Sequence, residues 1–434
     1  MYISAKYSVP QINETGRQYM EHSHYQAVNR FIEDLMVKIY RPAEGLFRYP
    51  SLTTTSGKFY SSGMFTWDTH HMTLRFAMAG KPEMMKYFLL TMFQFQRTSG
   101  FVPCICSSKD GGTNLTGFHA QPFLAQNAAV YLNLTGDSET VGNIFEPLEK
   151  YLRYWLTVYA APMGLFRWGE TWMSGFDNEI TGTIFPTGSI LPPDLPSLLY
   201  LECRAMDFIA GKLGRAGSDY ATAAERIRKA VGENLWDEKR EIYAPWNLLS
   251  GKRQISWGDG SLDSEVGYNA YVSCPSLLPL FAGIAEPERA ESMIRKYVLS
   301  PEHFRSRYGI RSLSRSSEYY NNARWGNPPR FGSWTRLTNS NWQGPVWIPL
   351  NWFVFHALLR YGFRQEAEAL ADDTVELIYK SIEELGFMRE NYHAETGEGL
   401  YADEFASWNI LTDTMHHYLD NSGKGISLFP WEKQ

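Results

Sequence analysis

Two acidic stretches stand apart from the helical bulk of this sequence: "TWMSGFDNEITG" at residues 171–182 and "FMRENYHAETGEGLYADEFASW" at residues 387–408. In the first, Asp177 follows a Trp, a Gly and a Phe and precedes Asn178. Neither helical nor strand periodicity accounts for this arrangement. If Trp168, Trp172 and Phe176 shield this carboxylate from water, desolvation would favour its protonated form, as a proton donor requires. The Asp-Asn pair after a glycine also suits an Asx-turn or a helix N-cap. Cleavage of a glycosidic bond needs a second, ionised carboxylate. The second stretch offers five acids. Glu390 follows a helix and precedes an Asn-Tyr pair that can position it. Glu395 and Glu398 read as solvated turn acids. Glu404, just before Phe405 and Trp408, stays open as an alternative base.

Two further loops have the look of a sugar-binding surface. "GMFTWDTHH" places Trp67 and Asp68 at a helix start, where the acid either caps the helix or grips two hydroxyls. "NSNWQGPVW" carries Trp342 and Trp347 around a Gly-Pro turn, with Asn341 and Gln343 beside them. Trp residues in such polar company are expected at a surface. Aromatic faces stack on the C–H faces of sugar rings while polar tips hold hydroxyls. Aromatic residues make up 15% of the chain, 14 of them Trp and 26 Tyr, which a large helical core would also explain. Gln121 completes the candidate binding set, and His119 beside it is the one attractive base for an epimerase. The adjacent pairs His70-His71 and His416-His417 do not share a helix face, and no H-E-x-x-H, phosphate loop or G-x-S-x-G setting occurs. No metal or cofactor is expected.

These residues must be held by helices. Apolar residues recur at helical spacing over 24–40, 68–79, 83–98, 122–133, 143–160, 196–214, 218–235, 275–284, 287–298, 347–361, 364–382 and 406–419. Twelve helices fit an all-α toroid of two concentric rings. A helical solenoid competes, but no fixed-period repeat is present. The candidate chemistry lies between the helices, in loops 59–68, 100–121, 164–194, 303–346 and 386–408. No Gly/Ser/Pro linker marks a boundary, so residues 1–434 read as one domain.

The net charge of −6 and pI near 6.0 point away from nucleic acid and from a membrane surface. No apolar run reaches the ~18 residues of a membrane helix. The N-terminus lacks a basic region followed by an apolar run, so no signal peptide is expected. Four cysteines, Cys104, Cys106, Cys203 and Cys274, suit a reduced cytoplasmic protein. The N-L-T acceptors at 114 and 133 mean little without secretion. The expected partner is a small carbohydrate; a homo-oligomer is compatible with the sequence.

Taken together the loops resemble glycoside hydrolase family 63 and, more distantly, the inverting trehalases. The shared marks, in order, are "FTWDTHH", "GFVP", "AQPFLA", "MSGFDNE", "LLPLFAGIA", "YGIRSLS", "NWQGPVWIPLNW", "ENYHAETGEG" and "FASW". The resemblance implies an (α/α)6 barrel, with Asp177 as general acid and Glu390 as general base of an inverting, exo-acting α-glycosidase. Two departures fall in the expected substrate region. Relatives usually have Tyr-Trp-Arg-Gly where this chain has Asn341-Trp342-Gln343-Gly344, and Glu179 stands where Ser is common. Larger family members carry a β-sandwich domain, whereas compact bacterial members hydrolyse glucosylglycerate and mannosylglycerate. The residues add a hint of an acidic aglycone. Between 303 and 336 lie seven arginines (305, 307, 311, 315, 324, 330 and 336) against one acid, Glu318. Arg binds carboxylates bidentately. The expectation is therefore a hydrolase of small α-glucosides or α-mannosides, with glycerate as aglycone. A neutral-oligosaccharide α-glucosidase, a non-catalytic sugar-binding barrel and a lyase or epimerase are the alternatives.

Overall fold

Helices of two kinds alternate along the chain. One kind is amphipathic: Phe145–Val158 buries Phe145, Leu148, Tyr151, Leu152 and Trp155, a single stripe at helical spacing. The other kind is buried on every face: Thr66–Met78 buries all residues from Thr66 to Ala77, and Ile348–Arg360 all residues from Ile348 to Leu358. Fully buried helices must lie inside striped ones, and that difference builds the molecule. The structure, a computed structural model, describes residues 22–57, 60–61, 63–111, 117–215, 219–255, 271–322, 341–419 and 426–432.

The inner helices are Thr66–Met78, Leu124–Thr135, Asp194–Lys212, Leu278–Phe281, Ile348–Arg360 and the final pair Ser407–Leu411 and Thr414–Leu419. Around the ring, Thr66–Met78 touches Ser407–Leu411, which touches Ile348–Arg360; then follow Leu278–Phe281, Asp194–Lys212 and Leu124–Thr135. The ring closes where Asn127 Nδ2 donates to Thr73 Oγ1 at 2.9 Å and His70 stacks on Phe123. The outer helices are His22–Ile39, Glu83–Gln94, Phe145–Val158, Tyr220–Asn234, Pro287–Met293 (prolonged by a π turn to Val298) and Arg364–Leu385. Six inner elements alternate with six outer ones, which is the expected (α/α)6 arrangement.

This topology decides where a site can form. Inner and outer helices run in opposite directions, so every inner helix begins at the same end. The loops entering the inner helices therefore meet there. Short antiparallel pairs pin them: Met64–Phe65 on Ile105–Cys106, and Asn391–Tyr392 on Gly399–Leu400.

All twelve expected helical segments are present, with local differences. Residues 275–284 form only a 3₁₀ turn, Cys274–Leu277, and the short Leu278–Phe281 helix. Pro275 and Pro279 remove the backbone donors a longer helix needs. The expected helix at 406–419 is divided into Ser407–Leu411 and Thr414–Leu419. The Ser138–Asn143 and Ile180–Ile184 turns were not expected.

Candidate active site

A cleft opens where the inner-helix entries converge. It encloses about 970 Å³ of non-protein space, part of it open to solvent, within the usual range for a ligand site. Trp67 and Asp68 come from the first turn of Thr66–Met78, and Gln121 from the segment entering Leu124–Thr135. Trp172 and Asp177 come from the loop before Asp194–Lys212. Trp342 and Trp347 precede Ile348–Arg360, and Glu390 and Trp408 precede or begin the last inner element. Nine of the residues singled out in the sequence thus line one cleft.

The acid loop is shaped by two local devices. Gly175 has φ +84°, and a Cβ there would lie 3.0 Å from the Trp67 ring. Only glycine takes this conformation at that close approach without strain. Glu179, and not Asp177, caps the Ile180–Ile184 helix, accepting hydrogen bonds from the Thr181 and Gly182 backbone N–H groups at 2.9 and 3.0 Å. Asp177 is accordingly half-buried and turned to the cleft rather than used as a cap. Asp68 is likewise no cap: it accepts the Ser407 hydroxyl at 2.5 Å. Ser407 holds φ +24° to reach it.

The walls are aromatic. Trp342 and Trp347 stack with centroids 3.9 Å apart and planes at 8°. Trp408 tilts against Trp347, and Phe176 meets both Trp67 and Trp342 edge to face. Trp342 and Trp347 are fully buried, not surface residues. Their polar neighbours hydrogen-bond to protein, which lets the loop pack inward.

The electrostatics are those of three carboxylates, Asp68, Asp177 and Glu390, around a partly dry cleft. Burial pushes Glu390 well above the usual carboxylate range, and the nearby Asp177 and Asp68 charges push it the same way. Burial likewise raises Asp68 to about 7, against the Ser407 hydrogen bond that favours its charged form. Four buried polar atoms on the lining accept or donate no hydrogen bond among the described residues: Glu390 Oε2, Gln121 Oε1, Trp67 Nε1 and Thr54 Oγ1. Gln121 Nε2 donates to Met173 O at 3.2 Å, which fixes the amide and leaves its oxygen for a ligand. Buried polar atoms are ordinarily paired. A donor and several acceptors in this state suit the hydroxyls of a sugar.

Three expected binding residues lie elsewhere. Trp168 lines a separate cavity of about 450 Å³ behind the acid loop, where Nε1 donates to Asp194 Oδ2 at 3.0 Å. Its single donor is thereby used, and Phe176 lines that same cavity rather than the cleft. Asn341 and Gln343 are buried but do not line the cleft; both bond to Asn178 instead. Thr54 was not foreseen, because a run of threonines carries no signal. It reaches the cleft because its carbonyl accepts the Ala406 and Ser407 N–H groups.

The alternatives among the titratable groups are also decided by position. Glu404 is exposed, with its carboxylate on the Ser56 hydroxyl at 2.9 Å and outside the lining. Glu395 pairs with Arg311 at 2.9 Å. Arg305 pairs with Asp373, Arg307 and Arg315 are exposed, and none of these four arginines lines the cleft. Arg324, Arg330 and Arg336 lie outside the described residues. Burial pushes His119 down to about 3, and its ring is held by Val102 and Tyr151 backbone groups, so it cannot serve an epimerase. Among the described residues no group of three or more metal-ligating side chains occurs, and no helix is long and apolar enough to cross a membrane.

A double ring of helices with paired carboxylates and aromatic walls at one end is the architecture of an (α/α)6 glycoside hydrolase. The chain belongs to the mannosylglycerate hydrolase MGH1-like glycoside hydrolase family, whose sequence profile matches residues 61–408, and with it to glycoside hydrolase family 63. It is 27% identical over 225 residues to a mannosylglycerate hydrolase of Rubrobacter radiotolerans, a stretch covering 50% of this chain and 42% of the relative. It is 29% identical over 184 residues to a mannosylglycerate hydrolase of Thermus thermophilus, covering 42% and 35%. The matched stretches thus span less than half of either relative. The crystal structure of a Thermus thermophilus family 63 mannosylglycerate hydrolase in complex with glucose superposes with a TM-score of 0.69, covering 89% of this chain and 99% of that one, at 19% identity. It bears out the fold.

Proposed function

We propose that the protein is an inverting, exo-acting α-glycosidase that hydrolyses a small α-mannoside or α-glucoside with glycerate as aglycone. The observation that carries the reading is the meeting of Asp177 and Glu390, 213 positions apart in the chain, in one aromatic cleft, close enough to perturb each other electrostatically. Asp177 donates its proton to the glycosidic oxygen as the bond to the anomeric carbon breaks. Water attacks that carbon from the opposite face and Glu390 takes the water's proton. Asp68, Gln121, Trp67 and Thr54 hold ring hydroxyls, and the half-buried Trp172 offers an apolar face to the sugar, backed by the buried Trp342–Trp347 stack. Residues 1–434 act as one catalytic domain, a reading supported by a hydrophobic core that runs from Val28 to Ile426.

The glycerate aglycone is supported by the relatives' activities. A neutral aglycone is the second reading, favoured by the engagement of Arg305 and Arg311 with Asp373 and Glu395. Comparing α-mannosylglycerate, α-glucosylglycerate and the matching glycosides of glycerol separates them. Loss of a charge-assisted hydrogen bond in a buried site costs ~1.5–3 kcal/mol, so the glycerate glycosides are expected to react about tenfold to hundredfold faster in kcat/KM. Equal rates move the assignment to neutral α-glycosides. Proton NMR of the first product should show the β-sugar; an α-sugar would mean retention. Absence of turnover on every substrate, with the sugars still bound, would leave a non-catalytic barrel.

A further inference from the structure

The residue after the acid does as much structural work as the acid does chemical work. Asn178 is buried, and all its amide functions point away from the cleft into the 341–347 loop. Its Oδ1 accepts the Trp342 backbone N–H at 2.6 Å, and its Nδ2 donates to Asn341 Oδ1 at 3.3 Å. Its backbone carbonyl accepts Gln343 Nε2 at 2.9 Å. Gln343 Oε1 in turn accepts from Asn321 Nδ2 at 3.3 Å, and Asn341 Nδ2 donates to Asn321 Oδ1 at 2.9 Å. Four amide side chains close on each other in the layer behind the aromatic wall.

The same loop continues to the other carboxylate. Val346 pairs with Tyr392 through N–H···O bonds of 2.8 and 3.0 Å, two residues beyond Glu390. Hydrogen bonds from Asn178 to the 341–347 loop and from Val346 to Tyr392, joined by short stretches of backbone, therefore connect the Asp177 segment to the Glu390 segment. We infer that Asn178, with Gln343 and Asn341, is a positioning clasp that sets the general acid at its working distance from the glycosidic oxygen and from the base. It rests on the reading of Asp177 as the proton donor. It also gives the Asn341-Trp342-Gln343 departure a role. In this chain those two amides serve the clasp, and both functional atoms of the Gln343 side chain are bonded to protein.

A displaced acid and a generally damaged protein differ in one measurable way. The C–F bond of a glycosyl fluoride releases weakly basic fluoride ion and needs little help from a proton donor, whereas the strongly basic alkoxide of an alkyl glycoside must be protonated as it departs. Correctly placed general acid catalysis contributes ~10²–10⁴-fold. Asn178→Ala is expected to lose about 100-fold in kcat on the alkyl α-glycoside, less than about tenfold on the α-glycosyl fluoride, with KM nearly unchanged on both. Gln343→Ala removes one strap and leaves the lining untouched; it should show the same asymmetry in milder form, and it carries the test if Asn178→Ala does not fold. Equal losses on the two substrates, in whichever variant folds, overturn the clasp. A wild-type protein that hydrolyses neither substrate instead overturns the glycosidase reading itself.

Discussion

To act as the proposed base, Glu390 must hold a negative charge in surroundings that disfavour one. Burial first, then the Asp177 and Asp68 carboxylates, push its proton affinity up. A base with a raised pKa is a stronger base, but it acts only when ionised. Activity should therefore rise with pH through an acid limb lying above the ordinary glutamate value of ~4.3. Asp68, itself raised to about 7, repels Glu390 once ionised, so above that pH Asp68→Asn should ease the ionisation of Glu390 and move the acid limb to lower pH as read from kcat/KM profiles; an upward shift would show that Glu390 does not set the limb. Substitution of the two principal carboxylates is the direct check. Asp177→Asn and Glu390→Gln should each lower kcat by ~10²–10⁴-fold or more while leaving the melting temperature close to that of the parent. Near-normal turnover in Glu390→Gln would remove it as the base. Glu404, exposed and bonded to Ser56, offers no replacement from its present position.

At the scale of the elements, the loops rather than the helices carry tight tolerances. A Cβ on Gly344 would sit 2.0 Å from the Asn321 carbonyl oxygen, which is backbone and cannot swing aside. Gly344→Ala should therefore force the 341–347 loop off Asn321, at a cost of about 1–3 kcal/mol, seen as a lowered melting temperature together with a lowered kcat. An unchanged kcat would mean that the loop's seat does not matter to the chemistry. The helices themselves were legible because apolar residues recur at helical spacing in both rings, although the inner helices also bury polar residues such as Asp68, His70 and Arg75. Residues 275–284 misled because Pro275 and Pro279 sit inside an apolar run whose composition still looks helical. In the loops, residue type pointed to residues that line the cleft, but not to the direction of every side chain. Asp177, Glu390 and Asp68 stood out as acids in aromatic settings. Trp168 looked equally suitable, yet its indole N–H is spent on Asp194. Asn341 and Gln343 read as sugar ligands because amides bind hydroxyls; the structure spends them on another amide, Asn178. Pairing across distant segments decides such cases, and one-dimensional spacing does not contain it.

Among the described residues, the interior carboxylates Asp194 and Glu202 form no ion pair, unlike Asp413, which pairs with Arg75. Burial raises Asp194 and Glu202 to about 7, as it does Asp68 in the cleft. Asp194 is 1% exposed at the head of an inner helix, with Trp168 on one oxygen and Glu179 adding like charge nearby. Unfolded, such a carboxyl titrates near ~4, so between roughly pH 4 and pH 7 the folded chain binds more protons than the unfolded one. The stability this gives is fully present below the unfolded pKa and is lost as pH rises through the folded value. Carboxylates with lowered pKa, such as Asp137, act in the opposite sense, so the parent's overall profile is a sum and a comparison with a variant is the sharper measurement. Asp194→Asn keeps an oxygen for Trp168 and cannot ionise. At about pH 4, close to the unfolded pKa, the two proteins should differ least in melting temperature. At about pH 8 the parent must hold a buried charge and the variant need not, so the variant should melt higher. Calorimetry at the two pH values decides the matter: a melting-temperature difference that does not change with pH would show that Asp194 keeps an ordinary carboxylate pKa in the folded ring.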